Sequence, residues 1–431
     1  MNDLMRQVYQ AFNPAPLTPE QSRLYVNLDD ARGRADVVHR LGTKIRVSDK
    51  PTCQVLAGHR GSGKSTELLR LKKKLESENP RFFVVFCKAD DDIDRNDIDF
   101  PEILIALVRQ MASQLKEHAD IHLKPGYFAG LPGRITDFLT SEVTLDKFEF
   151  AVSFAKIAGA LKSSPTARHE IRKLLEPDTS NLLDAANDLI GEAILGLGKK
   201  GYSGLTILVD DLDKMVIRPH DGAGCTTAEY LFVNRAAQLT AFKCHVIYTM
   251  PLSLAYSHQE QTIRQTYGGH VPVVPMTKIA THPPDPRPFG PGIDLFRQVI
   301  DSRLESALTT ADVVFADDGV IDELIRLSGG QPTELMTLVR EAIITSELPI
   351  GRKSLERAKR EGQREYARQL RLDHWPLLEQ VRATGMVMRT LDNEAAYREL
   401  IDSRAILQYA NDAEWYGLNP MVGDLRPPAK V

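Results

Sequence analysis

Residues 53–65 read Cys53-Gln54-Val55-Leu56-Ala57-Gly58-His59-Arg60-Gly61-Ser62-Gly63-Lys64-Ser65, a short apolar run, a glycine-rich turn and then Lys-Ser. Cys53 to Ala57 reads as a buried strand, and the periodicity of Leu68, Leu69, Leu71 and Leu75 reads as a helix. Between them, Gly58 to Ser65 satisfies G-x-x-x-x-G-K-[ST]. Glycines here let successive backbone N–H groups curl around phosphate oxygens, and the following helix adds its positive N-terminal end. Lys64 can then reach the β- and γ-phosphates of a nucleotide, and the Ser65 hydroxyl can ligate Mg²⁺. The candidate phosphate-binding set is therefore Gly58, His59, Arg60, Gly61, Ser62, Gly63, Lys64, Ser65 and Thr66.

Working outward, Arg81 to Ala89 is a nearly continuous apolar run feeding Asp90-Asp91-Asp92, the pattern of a strand in a parallel sheet. The next such strand is Leu205 to Val209, which runs into Asp210-Asp211-Leu212-Asp213. Ligands of open α/β sheets bind at the carboxyl ends of strands. Asp210 is thus placed to hold Mg²⁺ through water, and Asp211 to orient and deprotonate an attacking water. His245–Thr249 and Val271–Pro275 read as two further strands, with a helical stretch around 251–265 between them. The segment Pro101–Lys200 is mostly helical, in stretches at Ile103–Leu115, Phe148–Leu161 and Leu182–Leu197. It is longer than an ordinary crossover, so it reads as a helical insertion. His282 to Gly292 is rich in proline and glycine and reads as a linker. Three helical stretches follow, at Asp294–Leu308, Val320–Leu327 and Thr333–Thr345. The tail combines a helix at Tyr397–Ala405, a strand at Ile406–Tyr409, a polar turn and a strand at Trp415–Leu418, the sequence shape of a winged helix.

The phosphate loop with the ILVDDLDK strand end resembles a P-loop ATPase of the AAA+/STAND group, of origin-recognition-like or NACHT-like organisation. That resemblance implies an α/β fold: a P-loop core with a parallel sheet and helices on both faces, a helical insertion, an all-helical lid and a C-terminal winged-helix domain. The expected divisions are an N-terminal segment 1–23, a core of 24–100 and 201–281, the insertion 101–200, linker and lid 282–350, and the winged-helix-like domain 351–431. By position, the resemblance implies that Gly33-Arg34 lies under the adenine and that Thr249 senses the γ-phosphate. It also implies that Pro332 of Ser328-Gly329-Gly330-Gln331-Pro332 contacts the nucleotide from the lid, and that Arg264 is the nearest candidate for an arginine finger. An origin-recognition-type lid carries an Arg just after the glycine pair. Gln331-Pro332-Thr333-Glu334 has none, which favours a lid that closes on ADP and works as a switch.

The implied activity is slow hydrolysis of ATP to ADP and phosphate with Mg²⁺, coupled to assembly or to a partner effector. Resemblance alone leans towards bacterial anti-phage defence. Two alternatives stand beside it: a DNA-associated loader using the winged helix, and a scaffold that retains nucleotide without hydrolysing it. The chain of 431 residues carries a formal charge of −4, which excludes a globally basic nucleic-acid coat. Residues 352–371 set eight basic against three acidic side chains, a strip that could meet phosphate backbones but reads more simply as a solvated face or subunit contact. Asp90 to Asp97 lacks the glycine and terminal Glu of a calcium loop and reads as an ordinary acidic loop. The four cysteines show no CxxC spacing, and the histidines no HExxH, so neither a zinc site nor a disulfide framework is expected. Met1 to Gln7 has no apolar signal core, and no run approaches the roughly 18–20 apolar residues of a membrane span. A cytoplasmic protein without membrane contact is expected, either homo-oligomeric or bound to a separate effector. Phe148, Phe150, Phe154, Ile157 and Leu161 of the insertion are a candidate partner surface, with packing inside the insertion as the alternative.

Overall fold

The computed structural model describes residues 3–33, 36–124, 126, 128, 150–220, 222–345, 347–410 and 413–426, with backbone alone at 150–153. The chain divides into two compact units: a sheet unit of Val38–Ala57 and Leu68–Pro272, and a lid unit of Met1–Val37, Gly58–Glu67 and Val273–Val431. In chain order the main elements begin with helix α1 (Asp3–Ala11), α2 (Val37–Val47), strand β1 (Cys53–Gly58), α3 (Lys64–Ser77) and β2 (Phe82–Lys88). Then come α4 (Phe100–Ala119), α5 (Phe150–Ser163), α6 (Pro165–Leu175), α7 (Thr179–Gly198), β3 (Gly204–Asp210), β4 (His245–Met250) and α8 (Glu260–Thr266). The remainder comprises β5 (Val273–Val274), α9 (Gly290–Ser306), α10 (Asp318–Leu327), α11 (Pro332–Ile344), α12 (Arg352–Gln369), α13 (His374–Thr384), α14 (Glu394–Asp402), β6 (Ile406–Ala410) and β7 (Glu414–Leu418).

In the sheet unit, strands run parallel in the order β2–β3–β4–β1. β3 is buried along its whole length, which is why its sequence is continuously apolar rather than alternating. Helices flank the sheet, α4 packing on β2 and α7 on β3. On the other side of β1, the Ala57 N–H donates to the Pro272 carbonyl at 3.0 Å. The opposite strand, β2, would expose a row of unpaired backbone groups, a liability for any edge. Side chains cover it. Gln114 exchanges two hydrogen bonds of 3.0 Å with the Phe86 backbone, and Gln110 does the same with Lys88 at 3.1 and 3.0 Å. The spacing fits because four residues of helix rise about 6 Å and two residues of strand about 6.6 Å.

The acidic stretch after β2 is not a solvated loop. Asp92 pairs with Arg109 at 2.7 Å, and Asp94 accepts two hydrogen bonds of 2.9 Å from Arg168. Arg172 bridges Asp97 and the buried Glu102, each at 2.7 Å, and Arg235 joins Asp99 to Glu176. These pairs fasten α6 and α7's approach to the start of α4, so the acids hold the insertion rather than a cation. Arg168 is only 1% exposed, whereas its acidic partners are partly wet. Arg168→Met is expected to cost about 1–3 kcal/mol, the buried-pair penalty discounted for solvent at the acids, as read by denaturant unfolding. An unchanged midpoint would show that this network adds nothing.

Within the insertion, Phe154, Ile157 and Leu161 are at most 2% exposed, so they pack inward and do not form the partner face expected of them. Phe148 and the Phe150 side chain lie outside what is described. In the lid unit, α9, α10, α11 and α12 pack in succession, and α1 lies against α9 and α11, with Arg340 over the Tyr9 ring at 3.8 Å. β6 and β7 form an antiparallel hairpin in which Tyr409 opposes Trp415, their rings stacked 4.3 Å apart. It follows α14 as a small helix-and-strand subdomain, with Asn411 and Asp412 of the turn outside the described residues. The charge of α12 is partly neutralised, by Lys359 with Asp424 at 2.8 Å and Arg364 with Glu361 at 2.6 Å. Among the described residues, no helix is long and apolar enough to cross a membrane.

Candidate functional site

The glycine loop belongs to the lid unit. Gly58, Gly61 and Gly63 have φ of 151°, 81° and 102°, which side chains rarely adopt. Gly58 is also crowded: a β-carbon there would lie 2.7 Å from the Val274 carbonyl oxygen. The loop closes on itself through Ser62 N–H to His59 carbonyl at 3.2 Å. Lys64, the first residue of α3, is buried, and its ammonium donates to the Gly58 and His59 carbonyls at 2.6 and 2.7 Å. That geometry holds a positive charge in the concavity of the loop. Ser65 is half-buried on the first turn of α3, the Thr66 hydroxyl accepts from the Leu17 N–H at 3.2 Å, and Arg60 is exposed.

A second cation stands at the loop that the sequence reading passed over. Arg32, 3% exposed, donates to the Ser62 carbonyl at 2.6 Å and to the Thr277 hydroxyl at 3.2 Å, and lies 3.8 Å from Glu67. Gly33 next to it takes φ of 69° and ends the short 3₁₀ turn Asp29–Arg32. Arg34 lies outside the described residues. The only sequence signal for Arg32 is its place before that turn-ending glycine.

His59 is fully buried, and its Nε2 accepts the Gln408 N–H of β6 at 2.8 Å. Accepting at that nitrogen requires the neutral ring. Burial, then the charges of Lys64 and Arg404, push its pKa down to about 3. The glycine loop is thereby tied to the C-terminal hairpin, whose Gln408 carbonyl also accepts from the Met276 N–H at 3.0 Å.

The lid helix reaches the loop through its N-terminus. Gly329 and Gly330 take φ of 60° and 76°, and a β-carbon on Gly330 would lie 1.8 Å from the Thr277 carbonyl oxygen, so only glycine fits. Gln331 is the N-cap of α11 and Pro332 its first residue, where a missing N–H costs nothing. Thr333 N–H points to the Gly61 carbonyl at 3.5 Å. Gln331 is fully buried, and neither its Oε1 nor its Nε2 has a hydrogen-bond partner; the same is true of the Ser62 hydroxyl.

The acidic strand end belongs to the sheet unit. Asp210 is buried at the end of β3, and its Oδ1 accepts the Asp211 N–H at 2.9 Å. Asp211 takes the left-handed φ of 71°, a turn that Asp tolerates better than most residues. Its carboxylate pairs with Lys214 at 2.5 Å, and Lys214 also lies 3.5 Å from Asp90. Burial raises the Asp211 pKa above its ordinary value although Lys214 pulls the other way. Thr249 is fully buried on β4; its hydroxyl accepts the Leu212 N–H at 3.1 Å and donates to the Val209 carbonyl at 3.4 Å. It pins the turn that carries Asp210 and Asp211. Because β1 and β3 are parallel and flank β4, Ala57 and Asp210 leave the same edge of the sheet. Arg264 on α8 is half-exposed and pairs with Glu260 at 3.6 Å.

The donor sets fit the groups the motif implies. Positive-φ glycines, a buried ammonium and an orphaned Ser62 hydroxyl in the lid unit suit a phosphate; the Ser65 hydroxyl there, and separately the Asp210 carboxylate of the sheet unit, are hard oxygen donors of the kind Mg²⁺ takes. Among the described residues no three His, Cys, Asp or Glu side chains gather to hold a metal. Mg²⁺ does not need such a cage, since it keeps waters and takes one or two protein ligands with substrate phosphates. No protein-family model matches the chain, and no curated protein is significantly similar to it.

Proposed function

We propose that this chain is an ATP-binding, slowly hydrolysing P-loop ATPase of AAA+/STAND type that works as a nucleotide-dependent switch or assembly platform for a partner effector. The observation that carries the reading is the loop Gly58–Ser65, with its positive-φ glycines, its Lys64 ammonium held on the loop's own carbonyls and its unpartnered Ser62 hydroxyl. Backbone N–H groups of the loop bind phosphate oxygens, and Lys64 offsets charge on the β- and γ-phosphates. On this reading Ser65 and Asp210 would hold Mg²⁺, which when bound would neutralise phosphate charge. Asp211 orients and deprotonates water; its ion pair with Lys214 and its short side chain are reasons for a low basal rate.

The helix α14 with the β6–β7 hairpin is read as the winged helix, and the bundle α9–α11 as the lid. The His59–Gln408 hydrogen bond gives the loop a direct route to the hairpin. The paired charges of α12 weigh against a DNA-binding role, and a role in anti-phage defence rests on the resemblance alone. A nucleotide switch acts through a partner or through copies of itself. Mass measured by light scattering is expected to rise when Mg²⁺ and ATP are added, alone or with the neighbouring gene's product. A strict monomer in every condition would remove the assembly part of this reading.

A further inference from the structure

Gln331 is unusual among the described residues: it is fully buried and both polar atoms of its side chain lack a hydrogen-bond partner. A primary carboxamide in that state is costly unless a partner arrives in another state of the molecule. Its position says where that partner comes from. The place a β-carbon would take on Gly61 is 3.5 Å from Gln331 Oε1 and 3.1 Å from Thr333 Cβ, so the amide abuts the phosphate loop on its lid side. Ser62, the next residue of that loop, carries the other orphaned group, a hydroxyl with no exposure. One unsatisfied side chain, from the lid, thus abuts Gly61; the other, on the next loop residue, has its Oγ 3.1 Å from the place a β-carbon would take on Gly58. The backbone between them is already fixed, by Thr333 N–H to Gly61 carbonyl and by Thr277 N–H to Gly330 carbonyl at 3.1 Å.

We infer that Gln331 is a nucleotide-binding residue, its carboxamide Nε2 donating to a phosphate oxygen of the nucleotide held by the Gly58–Ser65 loop, with the Ser62 hydroxyl beside it. This rests on the reading of that loop as a phosphate site. The ligand class follows from the chemistry: an anion rich in acceptors satisfies both an N–H and an O–H donor, and the loop that presents them is built for phosphate. A neutral donor here couples lid to phosphate without adding a third cation beside Lys64 and Arg32.

The test uses the full chain and Mg²⁺ with ATP, titrated by calorimetry, beside thermal unfolding of the nucleotide-free protein. Gln331→Met keeps volume but removes both orphaned atoms. It is expected to raise the nucleotide-free melting temperature while weakening ATP binding about 10- to 100-fold, the value of one hydrogen bond to a charged group. Opposite signs on stability and affinity are what a packing role cannot give. Gln331→Glu, isosteric but anionic, is expected to weaken binding further and serves if the Met variant does not fold. Wild-type affinity in either folded variant, with the wild-type chain binding ATP in the same assay, overturns the inference and leaves the loop reading standing. If the wild-type chain itself binds no ATP, both fall together.

Discussion

Lys64→Ala is expected to weaken binding of ATP with Mg²⁺ on the order of a hundredfold or more and to abolish turnover. On the proposed reading the ammonium would make charge-assisted contacts with the β- and γ-phosphates, each worth about 1.5–3 kcal/mol, and about two such contacts correspond to that loss. The variant also leaves the Gly58 and His59 carbonyls without the donor they now have, so loop conformation has to be monitored. Thermal unfolding of the nucleotide-free variant serves for this: a preserved transition with lost binding assigns the effect to phosphate. Wild-type affinity and turnover in Lys64→Ala would mean that the loop is only a glycine turn.

Asp211→Asn is expected to behave differently. It should keep ATP binding within a few-fold and lower hydrolysis at least about a hundredfold, trapping the ATP-bound form, because the amide cannot take a proton from water. The substitution is near-isosteric and retains the left-handed turn that Asn tolerates well. It removes the charge that Lys214 pairs with, so a change in stability with full activity would assign Asp211 a purely structural role. Equal loss of binding and turnover would place Asp211 on the metal instead. In the wild type, burial raises the Asp211 pKa. Turnover should therefore fall on acidification before the pH reaches the range where an ordinary exposed aspartate protonates.

What the sequence made legible was local. Gly58, Gly61 and Gly63 carry the constraint in their own backbone angles, and the run Leu205–Val209 is buried on both faces, so its apolar continuity announces a parallel strand. Helices α4, α5 and α7 of the insertion and α9–α11 of the lid are readable from periodicity, to within a few residues at their ends, whereas α6, Pro165–Leu175, is not. What periodicity cannot give is which side chains meet across the chain. His59 meets the backbone of a residue 349 positions away, and although Gln331 lies within the Ser328–Pro332 motif, nothing in that motif says that its side chain faces Gly61. Arg32 carries no motif of its own, yet from the position before Gly33 its guanidinium reaches the Ser62 carbonyl of the loop. The partners of the acidic stretch after β2 are illegible for a similar reason: Arg168, Arg172 and Arg235, which pair with it, come from distant elements. Lys214 could have been read, since a lysine three residues after Asp211 in a helical turn is within reach of its carboxylate.

The proposed function stands or falls with phosphate binding by the Gly58–Ser65 loop. Equilibrium dialysis of the purified wild-type chain against labelled ATP, with and without Mg²⁺ and in parallel with Lys64→Ala, tests it most directly. One saturable site per chain, strengthened by Mg²⁺ and lost in Lys64→Ala, is the predicted result. No saturable binding to the folded wild-type chain at millimolar ATP, or a site that Lys64→Ala leaves untouched, would contradict it.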